Sequence, residues 1–359
     1  MLRLISVVFL LVVTAFGQND WVRMTPESAG LDASWFSAME AAIKTGEFKK
    51  IGSVLVARHG QLVYQKYFDG DAATLRDTRS ATKSITNLLI GLAIQEKKLS
   101  GINAKILDLL SEHRRKLQNA DPRKQQITIE DLLTMSSPLE CDDWNDFSRG
   151  NEERMYLTED WAQFILDLPI RGRMKVGETE QGPKYGRYFS YCTGGVFILS
   201  EVLGRTTGLR TDKYAEQKLF APLGITRTIW VYSPLGIPQT GGGLRLTSPD
   251  LLKIAQLYLD GGKWKGEQII NQEWVKTSTA PHVEINDHQE YGYLWWLQSF
   301  KSRDSSYPAF FMTGNGGNKI LGFPTLDMAV VITSTNYNTP GMHEQTERLL
   351  SEYVLSAVR

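Results

Sequence analysis

Apolar and polar positions follow different rhythms along the chain, and the changes of rhythm divide it into three stretches. Near the N-terminus, "DASWFSAMEAAIKTG" spaces its apolar residues as one face of a helix that ends near Gly46. "SVLVARHGQLVYQKYF" switches to alternation by two, which predicts two strands joined at His59-Gly60, with Gly60 supplying a tight turn. From Ser80 to about residue 280 the spacing is mostly helical. "TIEDLLTM" and "TEDWAQFILDL" open on capping residues, and "NQEWVKTST" predicts a further short helix. "TSPDLLKIAQLYLDGG" is framed by Ser248 as N-cap, Pro249 at the first helical position and Gly261 past the end. Strand rhythm then returns in "GYLWWLQSF", "PAFFMT", "NKILGF" and "MAVVITS". Their short connections make them antiparallel neighbours. The amphipathic helix "EQTERLLSEYVLSAV" follows.

Strands toward both ends with helices between predict an α+β fold. An antiparallel sheet flanked by helices is built from residues of about 28–79 and 281–357, and a mostly helical unit over about 80–280 is inserted into it. Ser80 falls where the sheet passes into the helical unit, and such junctions often hold sites.

Length and charge narrow the function. A chain of 359 residues, 42% hydrophobic, can bury a real core. Lys+Arg and Asp+Glu are 40 each, so no net charge points to nucleic acid, and "EHRRK" reads as a solvated helix end. "MLRLISVVFLLVVTAFGQND" has Arg3, an apolar run over residues 4–16 too short for a comfortable span, and small Ala15 and Gly17 before Gln18. This predicts a signal peptide over residues 1–17 and a secreted or periplasmic product without a stable membrane span, an uncleaved anchor being the alternative. Export permits disulfides. The chain has two cysteines, Cys141 and Cys192, and a single bridge or two buried thiols are both open at this point.

Three short motifs carry candidate chemistry. In "SATK", Ser80 precedes Lys83 by three residues, so on a helix the two side chains share a face. A buried lysine with a lowered pKa can act as the base that a serine nucleophile needs, and the helix start adds an amide for an oxyanion. The plainer reading is a helix start with an exposed lysine. In "RYFSYCTGGVFILSEVLGRTTG", Tyr191 precedes a helix beginning near Thr193, either as a proton relay or as a packing residue with Thr193 as cap. In "FFMTGNGGNKILGF", two strands flank Gly314-Asn315-Gly316-Gly317-Asn318, where glycines let a ligand or another backbone come close. A G-x-S-x-G elbow, H-E-x-x-H, C-x-x-C and a phosphate loop are all missing, and the five histidines lack metal-ligand spacing.

The order and spacing of "SATKS", "FSYCTGG" and "GNGGNKILGFP" resemble the serine β-lactamase and penicillin-binding-protein superfamily. The likeness is greatest to the branch holding class C β-lactamases, D-alanyl-D-alanine carboxypeptidases, secreted esterases and 6-aminohexanoate-oligomer hydrolases, and covers roughly residues 28–357. It implies that Ser80 is acylated, that Lys83 is base or electrostatic partner, and that Tyr191 relays the proton. It also implies an oxyanion hole from the amides of Ser80 and Asn318, with Asn315, Gly316 and Gly317 on the substrate edge. In this fold the loop "ECDDWNDFSRGNEE" overhangs the site, which would bring Cys141 near Cys192. Two departures matter. Thr193 stands where many relatives have Asn, and Asn315 where they have Lys or His, so an anionic β-lactam or peptide terminus loses its cation.

The resulting expectation is an exported serine hydrolase acting on a small-molecule ester or amide without metal or cofactor. A D-Ala-D-Ala-type peptidase or β-lactam-binding protein would need Arg149, Arg245 or Lys319 as replacement cation. A binding scaffold that kept the fold is the non-enzymatic alternative. Trp144, Trp295 and Trp296 line the pocket or pack in the core. Oligomeric state leaves no trace in the sequence.

Overall fold

Residues 21–172 and 182–359 are described by a computed structural model, so the expected signal peptide lies outside the described residues. Its frame is an eight-stranded antiparallel sheet. The strands are β1 (Ile51–Arg58), β2 (Gln61–Tyr67), β8 (Val283–Asn286), β9 (Gln289–Tyr291), β10 (Trp296–Ser302), β11 (Ser305–Gly314), β12 (Asn318–Phe323) and β13 (Met328–Ser334). They run in the order β2-β1-β13-β12-β11-β10-β9-β8, so β1 pairs with β13 and both ends of the chain meet in one sheet. A second sheet joins β3 (Leu75–Asp77), β5 (Leu244–Thr247) and β4 (Ile229–Trp230), and a ribbon joins β6 (Lys263–Trp264) to β7 (Glu267–Gln268).

Side chains of a strand point alternately to opposite faces, and here each face has its own core. Leu55, Ala57, Ile320, Ala329 and Val331 face the helical side. Val54, Val56, Leu321, Val330 and Ile332 face the other, beneath α1 (Ala33–Lys44) and residues Leu349, Leu350 and Val354. Because the central strands are covered on both faces, "MAVVITS" is buried throughout.

Helix α2 (Thr82–Gln95) is buried at every position from 82 to 93, its hydrogen-bonded Lys83, Ser84, Thr86 and Asn87 included, and it packs against the helix Thr193–Thr207. The helix Ser248–Leu259 lies on β1, β12 and β13, so it goes with the sheet although it falls inside the 80–280 stretch. Its cap is Thr247, not Ser248, because the Thr247 hydroxyl is the group that accepts from the Asp250 amide. No helix among the described residues is long and apolar enough to cross a membrane.

Candidate active site

Strand β3 leads into Thr78, and Arg79 then takes φ 51°, a left-handed conformation uncommon outside glycine. Ser80 follows in a single 3₁₀ turn, Arg79–Ala81, ahead of α2 rather than within it. Residues i and i+3 eclipse in a 3₁₀ turn, so Lys83 in the first turn of α2 still reaches back. Its Nζ lies 3.0 Å from Ser80 Oγ, 3.0 Å from Thr193 Oγ1 and 2.5 Å from the Gly241 carbonyl oxygen. A Cβ at Gly241 would stand 2.6 Å from Thr193 Cγ2, so only glycine brings that carbonyl close. Burial pushes the Lys83 amine down to about 8, against the pull of the Glu152 and Asp143 charges.

Tyr191 completes this group. Lys83 Nζ sits 4.9 Å from its ring centroid. Burial holds the phenol well above its ordinary pKa, opposed by a hydrogen bond with Ser80, so the hydroxyl is neutral and able to pass a proton. Thr193 does not cap its helix. The cap is Cys192, whose Sγ accepts from the Gly195 amide at 3.2 Å, which leaves the Thr193 hydroxyl to Lys83.

Asp143 is the residue that sequence reasoning missed. Its Oδ2 accepts from the Thr193 amide at 2.6 Å, its Oδ1 accepts from the Glu152 amide at 2.9 Å, and its own amide donates to the Tyr191 carbonyl at 2.8 Å. Burial and the nearby Glu152 charge raise its carboxyl to about 6, while Thr193 and Lys83 oppose the rise. A disulfide joins Cys141 to Cys192 with Cα atoms 5.4 Å apart, and Ser190 Oγ donates to the Cys141 carbonyl at 2.7 Å. The loop bearing Asp143 is thereby stitched to the Tyr191 segment. The run "CDDW" beside a cysteine was the signal for it.

The third motif sits differently from the expectation. Gly314, not Asn318, lies against the nucleophile turn: a Cβ there would stand 1.9 Å from the Thr78 carbonyl oxygen and 2.9 Å from the Ser80 amide nitrogen. Asn318 is buried, its Nδ2 donating to the Asn315 carbonyl and its Oδ1 accepting from the Ser334 amide. The motif therefore starts three residues earlier, at Met312, which is buried and apolar. The Asn315 side chain is tied to Asn338 through both of its polar ends, at 2.5 Å and 2.8 Å. The amides of Ser80 and Asn315, by contrast, donate to no acceptor among the described residues. Gly316 and Gly317 form the turn beyond, with φ of 95° and 84°. Gly316 donates its amide to Met342 Sδ at 3.2 Å, so it carries the hairpin.

The candidate cations and tryptophans separate cleanly. Lys319 is buried on Glu347 at 2.9 Å, Arg245 reaches Asp77 at 3.3 Å, and Arg149 lies 3.7 Å from Glu140. Lys319 and Arg245 are thus held by carboxylates, whereas Arg149 is largely exposed and only loosely paired. Trp295 is fully buried core. Trp144 stacks on Tyr191, and Trp296 lies 5.9 Å from the same ring.

Comparison with known proteins speaks to family and fold. A family model described as Beta-lactamase matches residues 50–354. The 6-aminohexanoate-dimer hydrolase of Paenarthrobacter ureafaciens is 25% identical over 243 residues, covering 63% of this chain and 56% of that protein. The chain spans about half the length of the curated relatives it matches. Among solved structures, EstCE1, a hydrolase with promiscuous acyltransferase activity, superposes with TM-score 0.69 at 15% identity over 91% of this chain and 99% of that one. A penicillin-binding-protein homologue from Caulobacter crescentus gives 0.66 at 16% identity, over 94% and 98%. At these identities the structural likeness speaks for the fold.

Proposed function

Because the chain belongs to the beta-lactamase family, we propose that it is an exported serine hydrolase that cleaves an ester or amide of a neutral small molecule through an acyl-enzyme on Ser80. The observation that carries this reading is a buried Lys83 amine, lowered to about 8, at 3.0 Å from Ser80 Oγ. Neutral Lys83 takes the Ser80 proton, with Tyr191 beside it as relay, and Oγ attacks the substrate carbonyl. The negative oxygen of the tetrahedral intermediate rests on the unbonded amides of Ser80 and Asn315. Collapse breaks the ester or amide bond, and the departing alcohol or amine takes the proton. Water then repeats the sequence on the acyl-enzyme and frees the acid.

Neutrality of the substrate is supported by Met312 at the motif's first position and by the ion pairs on Arg245 and Lys319. It disfavours a D-Ala-D-Ala peptidase or β-lactam-binding role. Export rests on the leader sequence and on a bridge that suits an oxidising space.

A fluorophosphonate probe is expected to label Ser80 and nothing else, where a non-catalytic scaffold stays unlabelled. Ser80→Ala and Lys83→Ala should each cost roughly three decades or more in kcat/KM on a neutral ester. Wild-type rates in Ser80→Ala would sink the mechanism.

A further inference from the structure

We infer that the substrate carries a flat aromatic group, bound at the mouth of the site by Trp144 with Trp296. This rests on the acyl-enzyme reading above. Trp144 is 60% exposed, a costly state for the largest side chain. It is nevertheless held in place. Its amide donates to Asp142 Oδ1 at 3.1 Å, its neighbour Asp143 is pinned to Thr193, and Cys141 anchors the loop by its disulfide. The indole lies parallel to the Tyr191 ring, 5.6 Å away at 7°. Phe189 stands 5.5 Å from it and Trp296 6.3 Å from it. One side of Trp144 thus lies on the tyrosine that bonds Ser80, and the remainder is open to solvent.

An open, fixed aromatic surface one ring removed from the Ser80–Lys83 pair, with Arg245 and Lys319 each in an ion pair, selects by shape and ring electrostatics rather than by charge. Aromatic rings stack offset or edge-on and gain more than the area they bury, whereas a saturated ring of the same size gains only the area. The expected ligand is therefore planar and uncharged.

The test compares esters matched in size, followed by pH-stat titration, with Trp144→Ala as the control for intrinsic reactivity. Ethyl phenylacetate is paired with ethyl cyclohexylacetate for the acyl side, and benzyl acetate with cyclohexylmethyl acetate for the alcohol side. In at least one pair the flat ring should win by about two- to tenfold in kcat/KM, mainly through KM. Trp144→Ala should bring that ratio to about one, and Trp144→Phe should keep part of it. Fluorophosphonate labelling of Ser80 in each variant reports that the site is folded. Equal rates within both pairs in a labelled wild type, or a ratio that survives Trp144→Ala, would overturn the inference. A wild type that neither labels nor turns over any ester instead overturns the acyl-enzyme reading, and the inference falls with it.

Discussion

Lys83 donates to two hydroxyl oxygens and a carbonyl, with no carboxylate in direct contact, so burial dominates its titration. A base must be neutral to work. Burial puts the amine near 8, so about a tenth is neutral at pH 7 and half at pH 8. We expect kcat/KM to climb roughly tenfold per pH unit below that point and to level above it. Asp143 is one of the two charges that hold the amine up, so Asp143→Asn should move the limb to lower pH while keeping an oxygen for the Thr193 amide. A pH profile of the variant checks this, and an unmoved midpoint would leave Asp143 a purely structural residue. The contrast between the two residues explains what the sequence disclosed. Ser80 and Lys83 are three apart and readable as a local pattern. Asp143 meets Thr193 across 50 positions, and only the folded chain brings them together.

The β11–β12 hairpin sets the second half of the site. Its strands were legible from their period, as were β1, β2 and β13, but its register against Ser80 was not. A glycine run offers no side-chain pattern to say which residue touches the neighbouring turn; the Thr78 carbonyl decides it in favour of Gly314. The start of β10 was misread for a related reason. "GYLWW" has strand composition, yet Leu294 takes φ 58° and Gly292 donates to the Trp295 carbonyl, so the strand begins at Trp296. Gly314→Ala tests the corrected register. Its Cβ cannot occupy a point 1.9 Å from a carbonyl oxygen, so β11 must back away from the Ser80 amide. Loss of one oxyanion donor typically costs about a hundredfold or more in kcat. A wild-type kcat in Gly314→Ala would refute the assignment of Asn315 as the second donor.

At the scale of the molecule, rhythm alone disclosed a sheet drawn from both ends of the chain, because each strand's period is local and the β1–β13 pairing completes it. The seat of the helix Ser248–Leu259 on that sheet was hidden, since an amphipathic helix does not say which partner it covers. The cysteines were ambiguous for the same reason. Their bridge closes a separation of 51 residues, worth about 4 kcal/mol by chain entropy. Cys141→Ser with Cys192→Ser should therefore lower stability by about that amount in denaturant unfolding and depress kcat/KM as the loop loosens. Unchanged stability and rate would show the bridge to be incidental. If the bridge does hold Asp143 and Trp144 against Tyr191, a chain kept in a reducing compartment has every reacting group and lacks their arrangement. On the export proposed above, synthesis and activation would be separated by a membrane, oxidation would be the trigger, and the chain would stay idle until it had left the cell.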